Sequence, residues 1–161
     1  MYLSRYVRTV TFSIVARSDD GLSWGVAVAS KFLAVGSAVP AARLGVGAIA
    51  TQAFANTLYK RDGLAHLVGG RSASETVAAL LAADDGREQR QLGVVDAAGR
   101  AATFTGTECF DWAGGAHGKR LAGWAPPRVS KTCVECHNPH QPQWDKRAPV
   151  HVALTGLAKK P

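Results

Sequence analysis

The sequence predicts an α+β domain of mostly antiparallel strands with helices packed on the sheet. Three observations carry this. "TVTFSIVAR" (residues 9–17) and "SWGVAVASKF" (23–32) are rich in β-branched and aromatic residues and are separated by the turn "SDDG", so they read as a hairpin. "SASETVAALLAADDG" (72–86) reads as a helix. "RQLGVVDAAGRAATFTG" (90–106) reads as a second hairpin, turning at Ala97 to Gly99.

The elements follow in order. "GVGAIATQA" (45–53) is a third strand, and its small residues predict close packing on both faces. "TLYKRDGLAHLVGG" contains a short helix that ends at Gly69-Gly70. In the helix after it, Ser72 and Glu75 have the spacing of a capping box, and Val77, Leu80 and Leu81 form an apolar stripe. The resulting order is β-β-β-α-α-β-β. Composition changes after Gly123: residues 124–149 hold five of the seven prolines and no apolar periodicity. The expected organisation is an extension (1–10), a domain (11–123) and a Pro-rich tail (124–161).

The net charge of +7 is uneven. The basic excess falls in the tail, without interleaved aromatics or a helical row of Arg and Lys, which argues against a nucleic-acid partner. No stretch reaches the ~20 apolar residues of a membrane-spanning helix. "MYLSRYVRTV" lacks the apolar core and small-residue cleavage site of a secretory signal. Three cysteines do not suggest a disulfide framework. The expected compartment is the cytoplasm.

The segments "TFSIVARSDDGLSWGVAVASKFLAVGSAVPAARLGVGAIATQAFAN" and "GREQRQLGVVDAAGRAATFTGTECFDWAGG" resemble a bacterial family, domain-of-unknown-function family 1028. The likeness is long and collinear, from about Thr11 to about Gly123. It implies an αββα sandwich of the N-terminal nucleophile hydrolase type and hydrolysis of an amide bond. The implied partner is a small-molecule or peptide amide, and a homo-oligomer is compatible with the family. After "GKRLAG" the family pattern would continue into a further strand and helix, where this chain has "WAPPRVSKTCVECHNPHQPQW", so the expected sandwich is incomplete at its C-terminal end and followed by a loop-rich tail.

The chemistry implied for such an enzyme is compact. A Thr at the true N-terminus offers its hydroxyl as nucleophile, and its own α-amine, of ordinary pKa near 8, serves as base. Thr11 starts the first strand and is the candidate. It has a free amine only if the ten residues before it are absent, through cleavage after Val10 or a translation start at position 10. Lys31, at the end of the second strand, would favour a deprotonated hydroxyl and depress a nearby amine pKa; the alternative is an exposed strand-end lysine. Ser30 lines the same cleft or is a polar strand end. Gln52 and Asn56 follow the Gly-rich strand and either donate to an oxyanion or satisfy buried backbone, and Thr51 stands among them. Asp96 reads as the cap of the turn that follows it. His66 reads as a surface or packing residue, and Trp112 as core.

"KTCVECHNPH" (131–140) poses a separate question. Cys133-x-x-Cys136-His137 is the attachment spacing of c-type haem, and with Asn138-Pro139-His140 it resembles haem-binding segments of multihaem cytochromes. Haem c here would make the chain an electron-transfer segment and place it in the periplasm. His140 cannot ligate the same iron as His137, so His117 and His151 are the candidates for a sixth ligand. Zinc on Cys133, Cys136, His137 and His140 is the other metal reading, with cramped spacing, and a redox dithiol of Cys133 and Cys136 stands beside it. A third reading makes the tail a recombined remnant. Across the whole chain, the alternatives to a hydrolase are this haem module fused to a non-catalytic domain, and a non-catalytic binding scaffold.

Overall fold

A computed structural model describes residues 11–110, 113–123 and 151–155, the last five by backbone alone. Two antiparallel sheets stack face to face. The first has the order β7-β8-β1-β2-β9, from β1 (Thr11–Arg17), β2 (Trp24–Ser30), β7 (Ala116–Gly118), β8 (Leu121–Gly123) and β9 (His151–Thr155). The second has the order β3-β4-β5-β6, from β3 (Pro40–Arg43), β4 (Gly47–Ala53), β5 (Arg90–Asp96) and β6 (Ala101–Thr105). Helices α2 (Leu58–Val68) and α3 (Ala73–Ala82) pack on the outer face of the second sheet, and a single turn, α1 (Val35–Ala38), follows β2.

Burial explains the strand sequences. On β2, Trp24, Val26, Val28 and Ser30 alternate inward while Gly25, Ala27 and Ala29 face out and are half-buried. The inward set joins Val15, Ala48, Ala50, Val95 and Ala122 in the core between the sheets. Strand β4 is covered on both faces, so six of its seven residues are buried. Ala48 and Ala50 face the first sheet, whereas Ile49 joins Tyr59, Leu67, Val77 and Leu80 in the core under the helices. The small residues of this segment thus serve the close packing that the sequence predicts. Gly63 lies mid-helix because a Cβ there would come 2.5 Å from Ile49 Cδ1.

Helix α3 begins where expected. Ser72 Oγ accepts from the Glu75 amide at 3.2 Å, and Glu75 Oε2 accepts from the Ser72 amide at 2.7 Å. Asp96 does cap its turn, accepting from the amides of Ala98 and Arg100 at 2.9 Å. Its carboxylate also accepts from the Ala73 amide at 3.1 Å, tying the β5–β6 hairpin to the first turn of α3.

Of the four layers that the resemblance implies, the described residues show three. Among the described residues, α2 and α3 cover the second sheet and no helix covers the outer face of the first, where Ile14 is exposed. β3, α1, β7 and β8 are additional to the expected order. Residues 151–155 form an edge strand beside β2, with His151 opposite Ser30. The chain therefore leaves β8 at Gly123 and re-enters at His151, both at the Thr11 end of the sheet. No helix among the described residues is long and apolar enough to cross a membrane.

Candidate functional site

One end of the sandwich gathers the start of β1, the ends of β2, β4 and β6, and the start of β5. Thr11 pairs with Ser30 in register, and their hydroxyl oxygens are 2.9 Å apart. Ser30 is buried, and its oxygen also accepts the Phe32 amide at 3.0 Å. From the opposite sheet, buried Gln52 reaches across. Its Nε2 donates to the Thr11 carbonyl at 3.1 Å and to Gln91 Oε1 at 3.0 Å. Its Oε1 accepts from Ser13 Oγ at 2.6 Å. Gln91 Nε2 then donates to Thr105 Oγ1 at 3.2 Å and to the Gly114 carbonyl at 3.3 Å.

The result is a continuous chain of hydroxyls and amides from Ser30 through Thr11, Gln52 and Gln91 to Thr105. A network of this kind, satisfied at each link, fixes side-chain positions in a low-dielectric setting. Beside it lies a cleft of about 20 Å³, room for one water, lined by Ser13, Gln52, Gln91, Thr105, Gly114 and Gly123. Gly93 and Val15 both line it, and the sheets lie so close there that a Cβ on Gly93 would come 3.1 Å from Val15 Cγ2.

The structure therefore brings Thr11, Ser30 and Gln52 together. Lys31 directly follows Ser30 and is half-buried. Asn56 joins a different network: its Nδ2 donates to Asp84 Oδ2 at 3.0 Å and its Oδ1 accepts the Leu58 amide at 3.1 Å. Thr51 points the other way from Gln52, and its buried hydroxyl has no hydrogen-bond partner among the described residues. Ser13, Gln91 and Thr105 belong to the site although the sequence alone does not single them out. The available signal was the strand alternation that puts Ser13 on the same face as Thr11. Gln91 becomes visible only from the β4–β5 register, which sets it opposite Gln52.

Two other groups can be assigned. Burial pushes the Cys109 thiol up, so it stays protonated at neutral pH and is a poor nucleophile. His117 is exposed, with Nδ1 3.3 Å from Thr103 Oγ1, and His66 is half-buried near the end of α2. Among the described residues, no three His, Cys, Asp or Glu side chains cluster to hold a metal. Trp112, Cys133, Cys136, His137 and His140 lie outside the described residues, as does the side chain of His151.

Gln52→Ala would leave the Ser13 hydroxyl, Gln91 Oε1 and the Thr11 carbonyl without their partner. The expected loss of stability is about 2–4 kcal/mol, read as a lower urea midpoint. Gln89→Ala, which removes only an exposed hydrogen bond to Glu108, is expected to stay within about 0.5 kcal/mol. Equal midpoints for the two variants would show that the Gln52 network holds nothing in place.

The fold and the site define an antiparallel two-sheet α+β protein with a hydroxyl and amide cluster at one end. The chain belongs to the family described as "Family of unknown function (DUF1028)", whose model matches residues 11–125. Among solved structures it is similar to a protein of Silicibacter pomeroyi assigned to the same family. The two are 34% identical with a TM-score of 0.67, over 71% of this chain and 53% of that one. The present chain thus spans about half the length of that relative. No curated protein matches it.

Proposed function

We propose that this domain is an amide-bond hydrolase of the N-terminal nucleophile type, with Thr11 as nucleophile. The observation that carries the reading is the double hold on Thr11. Ser30 orients its hydroxyl from the neighbouring strand, and Gln52 fixes its carbonyl from the opposite sheet. Such preorganisation is what a nucleophile on a rigid strand needs. The two stacked antiparallel sheets are consistent with the αββα architecture that the reading implies.

The step balances with the residue's own groups. In a chain that starts at Thr11, the α-amine takes the hydroxyl proton while Oγ1 attacks the substrate carbonyl carbon. The proton passes to the departing amine as the C–N bond breaks, leaving an ester on Thr11. Water, deprotonated by the same amine, then hydrolyses that ester and restores the hydroxyl. Both hydrogens of the Gln52 amide are used, one on Thr11 and one on Gln91. Gln52 is therefore assigned as a positioning residue, which follows the second of its two readings from sequence, satisfying buried backbone, and not the first, donation to an oxyanion. Lys31 next to Ser30 would assist by keeping the amine unprotonated.

The test compares the chain begun at Thr11 with the full 161-residue chain against a panel of amides. Turnover is expected in the first and is expected to fall at least 1,000-fold in Thr11→Ala. The full-length chain, whose Thr11 nitrogen is an amide, is expected to be equally inactive. Activity that survives Thr11→Ala would overturn the assignment. An absorbance scan of the full-length sample separates the haem alternative, because haem on Cys133, Cys136 and His137 gives a Soret band.

A further inference from the structure

The large apolar side chains left exposed are not spread evenly over the described surface. Six of them are more than half exposed: Leu58 and Val68 at the two ends of α2, and Phe32, Leu33, Phe54 and Phe110, at 51%, 72%, 54% and 55%, outside the helices. The last four lie in the short segments leaving strand ends at the Thr11 end. Phe32 is two residues beyond Ser30, Phe54 two beyond Gln52, and Phe110 five beyond Thr105. Scattered exposed apolar residues are ordinary, but a group gathered at one end of the sandwich marks a binding surface.

Their exposure is built into the backbone. The Phe54 amide donates to the Gln89 carbonyl at 3.1 Å, and the Phe54 carbonyl accepts from Arg90 Nη1 at 2.6 Å. Phe54 and Phe110 stack as a tilted pair with ring centroids 6.0 Å apart, each steadying the other at the surface. The Phe32 amide is fastened to Ser30 Oγ. Ala53 and Ala34, at φ 64° and 57°, are two non-glycine residues in the left-handed region. They sit directly beside Phe54 and Leu33. The chain thus adopts a costly backbone at the positions that turn these side chains outward.

We infer that the substrate is an amide whose acyl side is apolar, aliphatic or aromatic, seated on the rim of Phe32, Leu33, Phe54 and Phe110. The cleft between the sheets, whose lining includes none of these four side chains, holds about one water and cannot enclose an acyl chain; the chain must lie across the exposed side chains themselves. The polar links behind the rim are neutral amides and hydroxyls, which match an uncharged amide. This inference rests on the hydrolase reading of the same site and specifies its substrate class.

The test uses p-nitroanilides of acetic, succinic, hexanoic and phenylacetic acids on the chain begun at Thr11, so the leaving group is constant. The kcat/KM values for the hexanoyl and phenylacetyl compounds are expected to exceed those for acetyl and succinyl by at least 10-fold. The paired variant Phe54→Ser/Phe110→Ser is expected to lose most of that preference through KM. Leu44→Ser, at an exposed apolar site in the β3–β4 turn at the opposite end, is expected to keep it. Ligand-observed NMR with phenylacetamide and acetamide gives a readout without turnover. Phenylacetamide is expected to bind, and at least 5-fold more weakly to the paired variant. Turnover with no acyl preference overturns this inference and leaves the hydrolase standing. Rim-dependent phenylacetamide binding without turnover of any anilide overturns the hydrolase and supports the rim as an apolar-ligand site. Phenylacetamide binding that is absent, or equal in the paired variant, overturns the rim.

Discussion

Asp84→Ala is expected to lower folding stability by about 3–5 kcal/mol at pH 7, because it strips a mostly buried cation of its carboxylate partner and a buried phenol of its acceptor. Asp84 Oδ2 accepts from Arg90 Nε at 2.9 Å, Tyr59 OH at 2.7 Å and Asn56 Nδ2 at 3.0 Å. Its Oδ1 accepts the Gly86 amide at 2.9 Å. The side chains of Asp84 and Arg90 are only 10% and 19% exposed, so this is not a solvent-screened surface pair. Removing the carboxylate would also release the linkage between the start of α2 and the start of β5, from which Arg90 holds Phe54 in place.

The same carboxylate makes stability depend on pH. The Arg90 guanidinium, followed by the Asn56 and Tyr59 hydrogen bonds, holds the Asp84 carboxyl well below the usual range. Its folded pKa is depressed, so its contribution is complete above the unfolded pKa of about 4 and is lost as pH falls below that. Tyr59 shifts the opposite way, raised by burial and then by Asp84. Its contribution is present up to the ordinary phenol pKa of about 10 and fades as pH rises beyond it. Urea midpoints at pH 7 and pH 3 should differ less in Asp84→Asn than in the parent. A parent and an Asp84→Asn variant that weaken equally between those pH values would contradict this account.

Gly106→Ala is the second large effect, with an expected loss of about 2–4 kcal/mol. Gly106 follows β6, and its amide donates to the Arg90 carbonyl at 2.9 Å. A Cβ there would meet the Glu88 carbonyl oxygen at 2.2 Å and its carbon at 2.3 Å. Those are backbone atoms that also accept the Glu108 amide at 2.8 Å, so no side chain can swing aside to make room. The β5 start and the β6 exit would have to separate, shifting Cys109 and Phe110 with them. Gly118→Ala, where an added Cβ meets nothing within 4 Å, is expected to be within about 0.5 kcal/mol of the parent. Thermal unfolding of the two variants side by side checks this. A Gly106→Ala protein as stable as the Gly118→Ala protein would contradict the packing argument.

Local chemistry was legible in the sequence where it acts locally. Ser72 and Glu75 announce the start of α3, Asp96 with Gly99 announces the hairpin turn, and the small residues of 45–53 announce a strand buried on both sides. Elements of three or four residues were not legible, because β3, α1, β7 and β8 are too short to show a period. β3 also begins with Pro40, which suits an edge strand but reads as a breaker. In the site, Thr11, Ser30 and Gln52 were singled out by the family resemblance together with their places at strand ends. Gln91 was not, since its role depends on the register that places it opposite Gln52, 39 residues away. Asn56 illustrates the converse. It follows Gln52 closely in sequence, yet its partner Asp84 lies 28 residues on and draws it into another network.

The most direct test of the central claim is intact-mass analysis after treatment with an aliphatic β-lactone, followed by peptide mapping. An activated Thr11 opens the lactone and retains it as an ester. The account predicts one adduct on the chain begun at Thr11, mapped to Thr11, absent from Thr11→Ala and absent from the full-length chain. Adducts of equal yield on the full-length chain, or on a residue other than Thr11, would contradict it.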